Sequence, residues 1–214
     1  MDVIADLQMQ LVREAIGEYT TEDEIQCGLR IFRSAHQLYA NDNEFHNLSF
    51  YVRHNRAKQG NLRVGDEAID IQLLNMNGEF KSLLSYFNPN RPLLILAGSY
   101  TWPPFRGLVP QLNELMDFYQ NQGDMITVYI EEAHAADEWP IGSRISTGYR
   151  IPLLIDPVSE KNPFSQVYSP WPIRFYVIDH MKKFSYIAQP IQGSFPLELI
   201  KNALNKVIRK TQQS

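Results

Sequence analysis

Cysteine is nearly missing from this chain: Cys27 is the single one among 214 residues. That excludes an intrachain disulfide and a Cys-x-x-Cys redox pair, so any thiol cycle would have to take its second sulfur from another molecule. Long apolar runs are missing as well. No stretch approaches the roughly 20 residues that span a bilayer, and the first residues show neither the basic start nor the apolar core of a secretory signal. A soluble cytoplasmic protein with no membrane partner is the expectation. Positive charge is not in excess either, with 20 Lys and Arg against 24 Asp and Glu and a net charge of -4. The basic residues are dispersed, so nucleic acid is not an expected partner. What the chain does have is apolar material. At 44% hydrophobic residues it can build a sizeable core, which suits one domain with an appendage and argues against a disordered or fibrous chain.

The pattern changes near Gly60. Residues 1–60 read as helical, with Val3, Ile4, Leu7, Leu11, Val12, Ala15 and Ile16 on one apolar stripe. Thr21 with Glu24 makes a capping box that opens a second helix, whose inward positions are Ile25, Leu29, Phe32, Ala35 and Leu38. Cys27 falls among these apolar neighbours and reads as a buried core residue. Asn41-Asp42-Asn43 breaks the pattern, and Phe45, Leu48, Phe50, Tyr51 and Val52 suggest a third helix before a basic stretch. So much apolar helix surface must be covered, either by the rest of the chain or by a second copy in a homodimer.

Residues 61–214 alternate strands and helices. Ala68–Leu74 reads as a strand, Asn77-Gly78 as a hairpin turn, and Phe80–Tyr86 as a short strand or helix start. Leu93–Gly98 reads as a central strand, followed by a helix from Pro104 to about Gln120 in which Pro104 suits the first turn and Pro110 predicts a kink. Met125–Glu131, Leu153–Ile155, Arg174–Ile178 and Lys183–Ile187 supply further strands, and Pro196–Lys210 a last helix facing inward with Leu197, Ile200, Leu204 and Ile208. A β-rich entry, a βαβ unit, a β-hairpin and a closing helix describe an α/β thioredoxin-like sandwich with an N-terminal all-helical extension.

In that fold the turn after the first central strand carries the chemistry, because a helix N-terminus stabilises an ionised thiol. Here the turn is Ser99-Tyr100-Thr101-Trp102-Pro103-Pro104-Phe105. An indole at 102 neither ionises near neutral pH nor attacks as a thiolate. Three segments resemble the iodothyronine deiodinases, thioredoxin-fold enzymes that use selenocysteine to remove iodine reductively from thyroid hormones. In that family selenocysteine precedes the Pro-Pro-Phe of this turn. Val128-Tyr129-Ile130-Glu131-Glu132-Ala133-His134 is similar to a second family motif, with Asp137 and Trp139 at the family spacing, and Pro172-Ile173-Arg174 resembles a third. The resemblance spans roughly residues 64–207.

The resemblance implies that Trp102 occupies the nucleophile position and that Ser99 and Thr101 support it. It also implies that Tyr129, Glu132 and His134 handle protons or hold a phenolic ring, and that Arg174, with His134, binds the anionic end of a ligand. Tyr100 stands where the family often has Cys. The segment between Trp139 and Ile151 is shorter than in the animal enzymes and lacks a further histidine, and helices are expected where the family has an N-terminal membrane anchor. Bland readings stand beside each role. Trp102 can fill a cleft by packing, His134 can be a surface histidine in an acidic run, and Arg174 can be a structural ion-pair donor. The spacing of His134 with Glu131, Glu132 or Asp137 is poor for a metal, and neither metal nor cofactor is expected.

Two functions follow. The chain as written lacks a nucleophile and reads as a pseudoenzyme: a non-catalytic binding protein for an aromatic or iodinated small molecule or for a protein partner. The alternative is a deiodinase-like oxidoreductase, using an external thiol reductant, whose selenocysteine codon UGA has been read as Trp102.

Overall fold

The computed structural model describes residues 2–17, 21–47, 57, 59–133, 148–188 and 196–211. Helix α1 (Asp2–Ile16) and helix α2 (Glu22–Arg33) pack together. The capping box is present: Glu24 N donates to Thr21 Oγ1 at 3.4 Å and Thr21 N donates to Glu24 Oε2 at 2.8 Å. A Cβ on Gly28 would lie 2.6 Å from Val12 Cγ1 and 2.8 Å from Ile16 Cδ1, so a missing side chain is what lets the two helices close. Val12, Ile25 and Leu29 form a small core of their own, with Met9 against it.

Three expectations for this region change. The second helix stops at Ser34, and Ala35–Leu38 forms a separate turn, α3, that leaves Leu38 60% exposed instead of inward. Cys27 is exposed, because on α2 it lies away from the stripe of Ile25 and Leu29. Asp42, expected only as part of a break, opens a further helix: its Oδ1 accepts from Glu44 N and Phe45 N, capping α4 (Asn43–His46). The helix expected from Leu48 onward lies outside the described residues.

The second region is a sheet between helices. Its strands are β1 (Gln72–Asn75), β2 (Phe80–Ser82), β3 (Leu93–Gly98), β4 (Asp124–Tyr129), β5 (Leu153–Ile155), β6 (Ile173–Ile178) and β7 (Phe184–Ile187). They lie in the order β2-β1-β5-β4-β3-β6-β7. β3 runs parallel to β4, with Leu93 opposite Asp124 and Gly98 opposite Tyr129, and antiparallel to β6. The first strand begins at Gln72, later than the Ala68 expected; at 67–68 the chain instead makes single bonds to the β6–β7 turn. Asn77-Gly78 turns between β1 and β2, with Gly78 at φ 78.

β3 is buried along its whole length, as its unbroken apolar sequence requires of a central strand with helices on both faces. Its alternate residues divide the core. Leu94 and Leu96, with Phe175 and Val177 of β6, meet helices α5 (Pro103–Tyr119) and α7 (Leu197–Thr211). Leu93, Ile95 and Ala97, with Tyr176 and Ile178, meet Leu83 and the short helix α6 (Pro163–Tyr168) on the other face. The architecture is the expected sandwich, and α6 is an element that the sequence reading did not foresee.

Candidate functional site

The site is built where β3 ends. A Cβ on Gly98 would lie 2.6 Å from the Phe105 ring, so glycine is what lets the strand end meet the first turn of α5. Ser99 N donates to Pro172 O at 3.2 Å, which ties the turn to the residue before β6, where the Trp171–Pro172 bond is cis. Trp102 N donates to Ser99 O at 3.2 Å, closing the turn. Trp102 is therefore the N-cap of α5, and its indole offers no oxygen to cap with. Pro103 and Pro104 carry no N–H, and the next two amides, of Phe105 and Arg106, both donate to Trp102 O. The positive end of the helix dipole faces position 102, but its first amides do not.

Glu132 gathers the polar groups. Its Oε2 accepts from Ser99 Oγ at 2.9 Å, from Thr101 N at 3.3 Å, and from Thr101 Oγ1. Ser99 Oγ and Thr101 Oγ1 lie 2.8 Å apart, and Ala133 N donates to Ser99 Oγ at 2.9 Å. Three oxygens thus form a triangle with two hydroxyl protons between them. The carboxylate oxygen accepts, and the two hydroxyls can donate or accept, so the arrangement offers both functions to a polar group placed beside it.

Around this triangle the side chains are aromatic. Tyr100 is buried and stacks on Tyr129, with centroids 5.4 Å apart and planes at 30°. Tyr149 and Phe105 meet Tyr100 edge-on at 5.6 Å and 5.3 Å. The Tyr149 hydroxyl pairs with Thr127 Oγ1. Burial pushes the Tyr100 and Tyr149 phenols well above the ordinary tyrosine value, so both are neutral at physiological pH and neither is a base. Trp102 is half-buried against the same cluster, as is Tyr129.

Ser99, Thr101, Trp102, Tyr129 and Glu132 are therefore brought together. Arg174 is not. It pairs in register with Ala97, on the opposite face of the sheet from Trp102. There its Nε donates to Ala188 O at 2.7 Å and its Nη1 to Gln59 O at 2.8 Å and Ser169 O at 3.2 Å. Burial pushes its pKa below the usual arginine value, and the partners are carbonyls. It is an inner clasp of the fold, neither a group at the cleft nor an ion-pair donor. The cation at the turn is Arg106, whose Nη1 donates to Tyr100 O and Thr101 O at 3.1 Å each. Its place four residues after Trp102, one helical turn on, is the signal that could have found it. His134, Asp137 and Trp139 lie outside the described residues.

The sequence model of the iodothyronine deiodinase family matches residues 33–153, more than half of the chain. A type I iodothyronine deiodinase from Xenopus laevis is 29% identical over 56% of this chain and 54% of its own length. The type II iodothyronine deiodinase of Sus scrofa is 36% identical over 32% of this chain and 26% of its own. The chain thus spans at most about half the length of these curated relatives. Among solved structures, a protein designated a thiol:disulfide interchange protein DsbE from Chlorobium tepidum has a TM-score of 0.54 at 16% identity, covering 69% of this chain and 99% of that one. A peroxiredoxin-like protein from Aquifex aeolicus has a TM-score of 0.50 at 16% identity, covering 68% and 88%. At such identities the likeness is one of fold alone.

Proposed function

The chain belongs to the iodothyronine deiodinase family, and from that premise we propose that with tryptophan at position 102 it is a non-catalytic binding protein of the family. One observation carries this reading. The residue at the N-cap of α5 is an indole packed on Tyr100 and its neighbours, with no thiol or selenol beside the Ser99, Thr101 and Glu132 triangle. Cys27, the single sulfhydryl, belongs to the separate α1–α2 unit. An indole has no thiolate or selenolate to take up iodine and be regenerated by a thiol, so dithiol-dependent turnover by that route has no first step here.

What is left suits an aromatic ligand. Trp102 and Tyr129 offer half-buried rings, the triangle offers a proton or an acceptor to a phenolic hydroxyl, and Arg106 supplies a positive charge at the turn. An iodinated phenol is the ligand class the family suggests, and a protein partner inserting an aromatic side chain would use the same groups. Titration of Trp102 fluorescence with an iodothyronine, an iodotyrosine and glutathione tests this. Quenching by the phenols that is weakened in Glu132→Gln is expected, and no response to any phenol rejects the reading.

A second reading applies if codon 102 is UGA. It is favoured by the completeness of the triangle, which has no evident use around a packing residue. In that case selenocysteine replaces Trp102, the triangle moves protons for it, and an external thiol restores it. Selenium analysis of the protein from its native source separates the two.

A further inference from the structure

A groove of about 730 Å³ lies between α1 and α2, lined by Leu11, Ile16, Cys27, Ile31, Tyr39 and Phe45 among others. Leu11, Ile16, Ile31 and Tyr39 are each 46–49% exposed and enter none of the core clusters formed by the described residues. An apolar surface of this kind marks an interaction site. Its shape is that of a seat for a helix. Glu24, Cys27 and Ile31 recur on α2 at intervals of three and four residues, and Leu11 and Ala15 on α1 at four, so each wall is a single helical stripe. Beyond Ile31 the rings of Tyr39 and Phe45, 6.1 Å apart, continue the apolar lining. With about 10 Å of α2 and this aromatic pair, the groove accommodates roughly three turns of a guest helix.

Charge chooses the guest. Residues 1–47 carry nine Asp and Glu against three Arg and no Lys, a net charge of -6, while the rest of the chain stands at +2. The acids follow the groove: Glu24 lines it, Glu14 stands one helical turn from Leu11, and Asp23 one turn from Cys27. Arg30 shares the flank of Asp23 and is outnumbered by these acids. Among the described residues Glu14 and Asp23 form no ion pair, and Glu14 and Glu22 accept from the neutral amides of Gln10 and Gln26 at 2.8 and 2.9 Å. We propose that this groove receives a basic amphipathic helix of a partner protein, its apolar stripe on the walls and its Lys or Arg side chains against the acidic rims. An anionic lipid surface or a nucleic acid would meet the same negative charge and be repelled. The seat lies in the α1–α2 unit, apart from the aromatic cluster at the Trp102 turn.

The experiment titrates the full chain into a labelled amphipathic peptide of leucine and lysine, about 18 residues long, and into its counterpart with glutamate for every lysine. Fluorescence anisotropy reads the binding, and circular dichroism confirms that each variant keeps its helices. The lysine peptide should bind at micromolar concentration and the glutamate peptide roughly tenfold or more weakly, a difference that shrinks as salt rises. Bound lysine peptide should slow maleimide alkylation of Cys27, the chain's single thiol, about tenfold once most of the protein is occupied. Ile31→Gln should weaken the lysine peptide by about tenfold, and Glu14→Arg with Asp23→Arg should reverse the preference toward the glutamate peptide. Failure of the lysine peptide to bind overturns the proposal, whether a second copy or the chain itself closes the groove. Equal binding of the two peptides overturns the choice of a basic guest. Binding that Ile31→Gln leaves unchanged, or that leaves Cys27 unprotected, is attraction to the acidic surface at large and overturns the groove as its seat.

Discussion

Glu132 holds three donors on one carboxylate oxygen, and all three come from a turn more than thirty residues earlier in the chain. Removing the acceptor strands all three, so Glu132→Ala should cost about 1–3 kcal/mol in urea unfolding, while Glu132→Gln, which keeps an acceptor oxygen, should cost less. Gly98→Ala would drive a methyl group to 2.6 Å from the Phe105 ring. It should cost about 1–3 kcal/mol through overpacking and loosen the turn as well. At this scale legibility was uneven for a definite reason. Ser99, Thr101, Tyr129 and Glu132 were named because family motifs place them, and no local periodicity links the turn to the end of β4. The face that Arg174 takes is not legible in the sequence, because adjacent strand residues point to opposite faces and the Pro-x-Arg pattern does not choose between them. The role of Arg106, donating to two turn carbonyls, leaves no mark in the spacing of apolar residues, and only its place one helical turn after Trp102 points to it.

The elements were legible where their ends were marked. Thr21 and Glu24 announced α2, and Asn77-Gly78 the first hairpin, because each meets a backbone demand that few residues satisfy. α6 went unseen because six residues are too few for an apolar period, and its N-terminus is held from a distance. Asp156, buried just after β5, accepts from Phe164 N at 3.0 Å and from Ser165 N and Oγ at 2.9 and 2.6 Å. Desolvation is the largest influence on its pKa and raises it above the ordinary aspartate value. The folded state therefore binds this proton more tightly than the unfolded chain does. The stability so gained is complete below the unfolded value, about 3.9, and is lost as pH rises through the higher folded value. Relative to Asp156→Asn, which has no such titration, the parent should lose stability across that window. Urea midpoints measured at successive pH values check it, and parallel curves would contradict it.

Across the whole molecule, the sheet was legible because β3 and β4 are apolar runs flanking an amphipathic helix, and a right-handed crossover then makes them parallel neighbours. The β6–β7 hairpin followed from the turn at Asp179–Lys182. What composition could not give was the meaning of position 102, since a tryptophan at a helix N-cap looks the same whether it fills a cleft or replaces a nucleophile. Substitution there tests the scaffold. In Trp102→Cys the helix dipole should draw the thiol below the roughly 8.5 of free cysteine, with Glu132 opposing it, so Glu132→Gln in that background should lower it further, as alkylation rate against pH would report. The central claim is that the chain with tryptophan at 102 has a deiodinase scaffold and no deiodinase chemistry. Its most direct test is dithiol-dependent release of iodide from an iodothyronine by protein whose Trp102 has been verified by mass spectrometry. Release at the level of the protein-free background is the expected result, and release above that background by the tryptophan form would contradict the account.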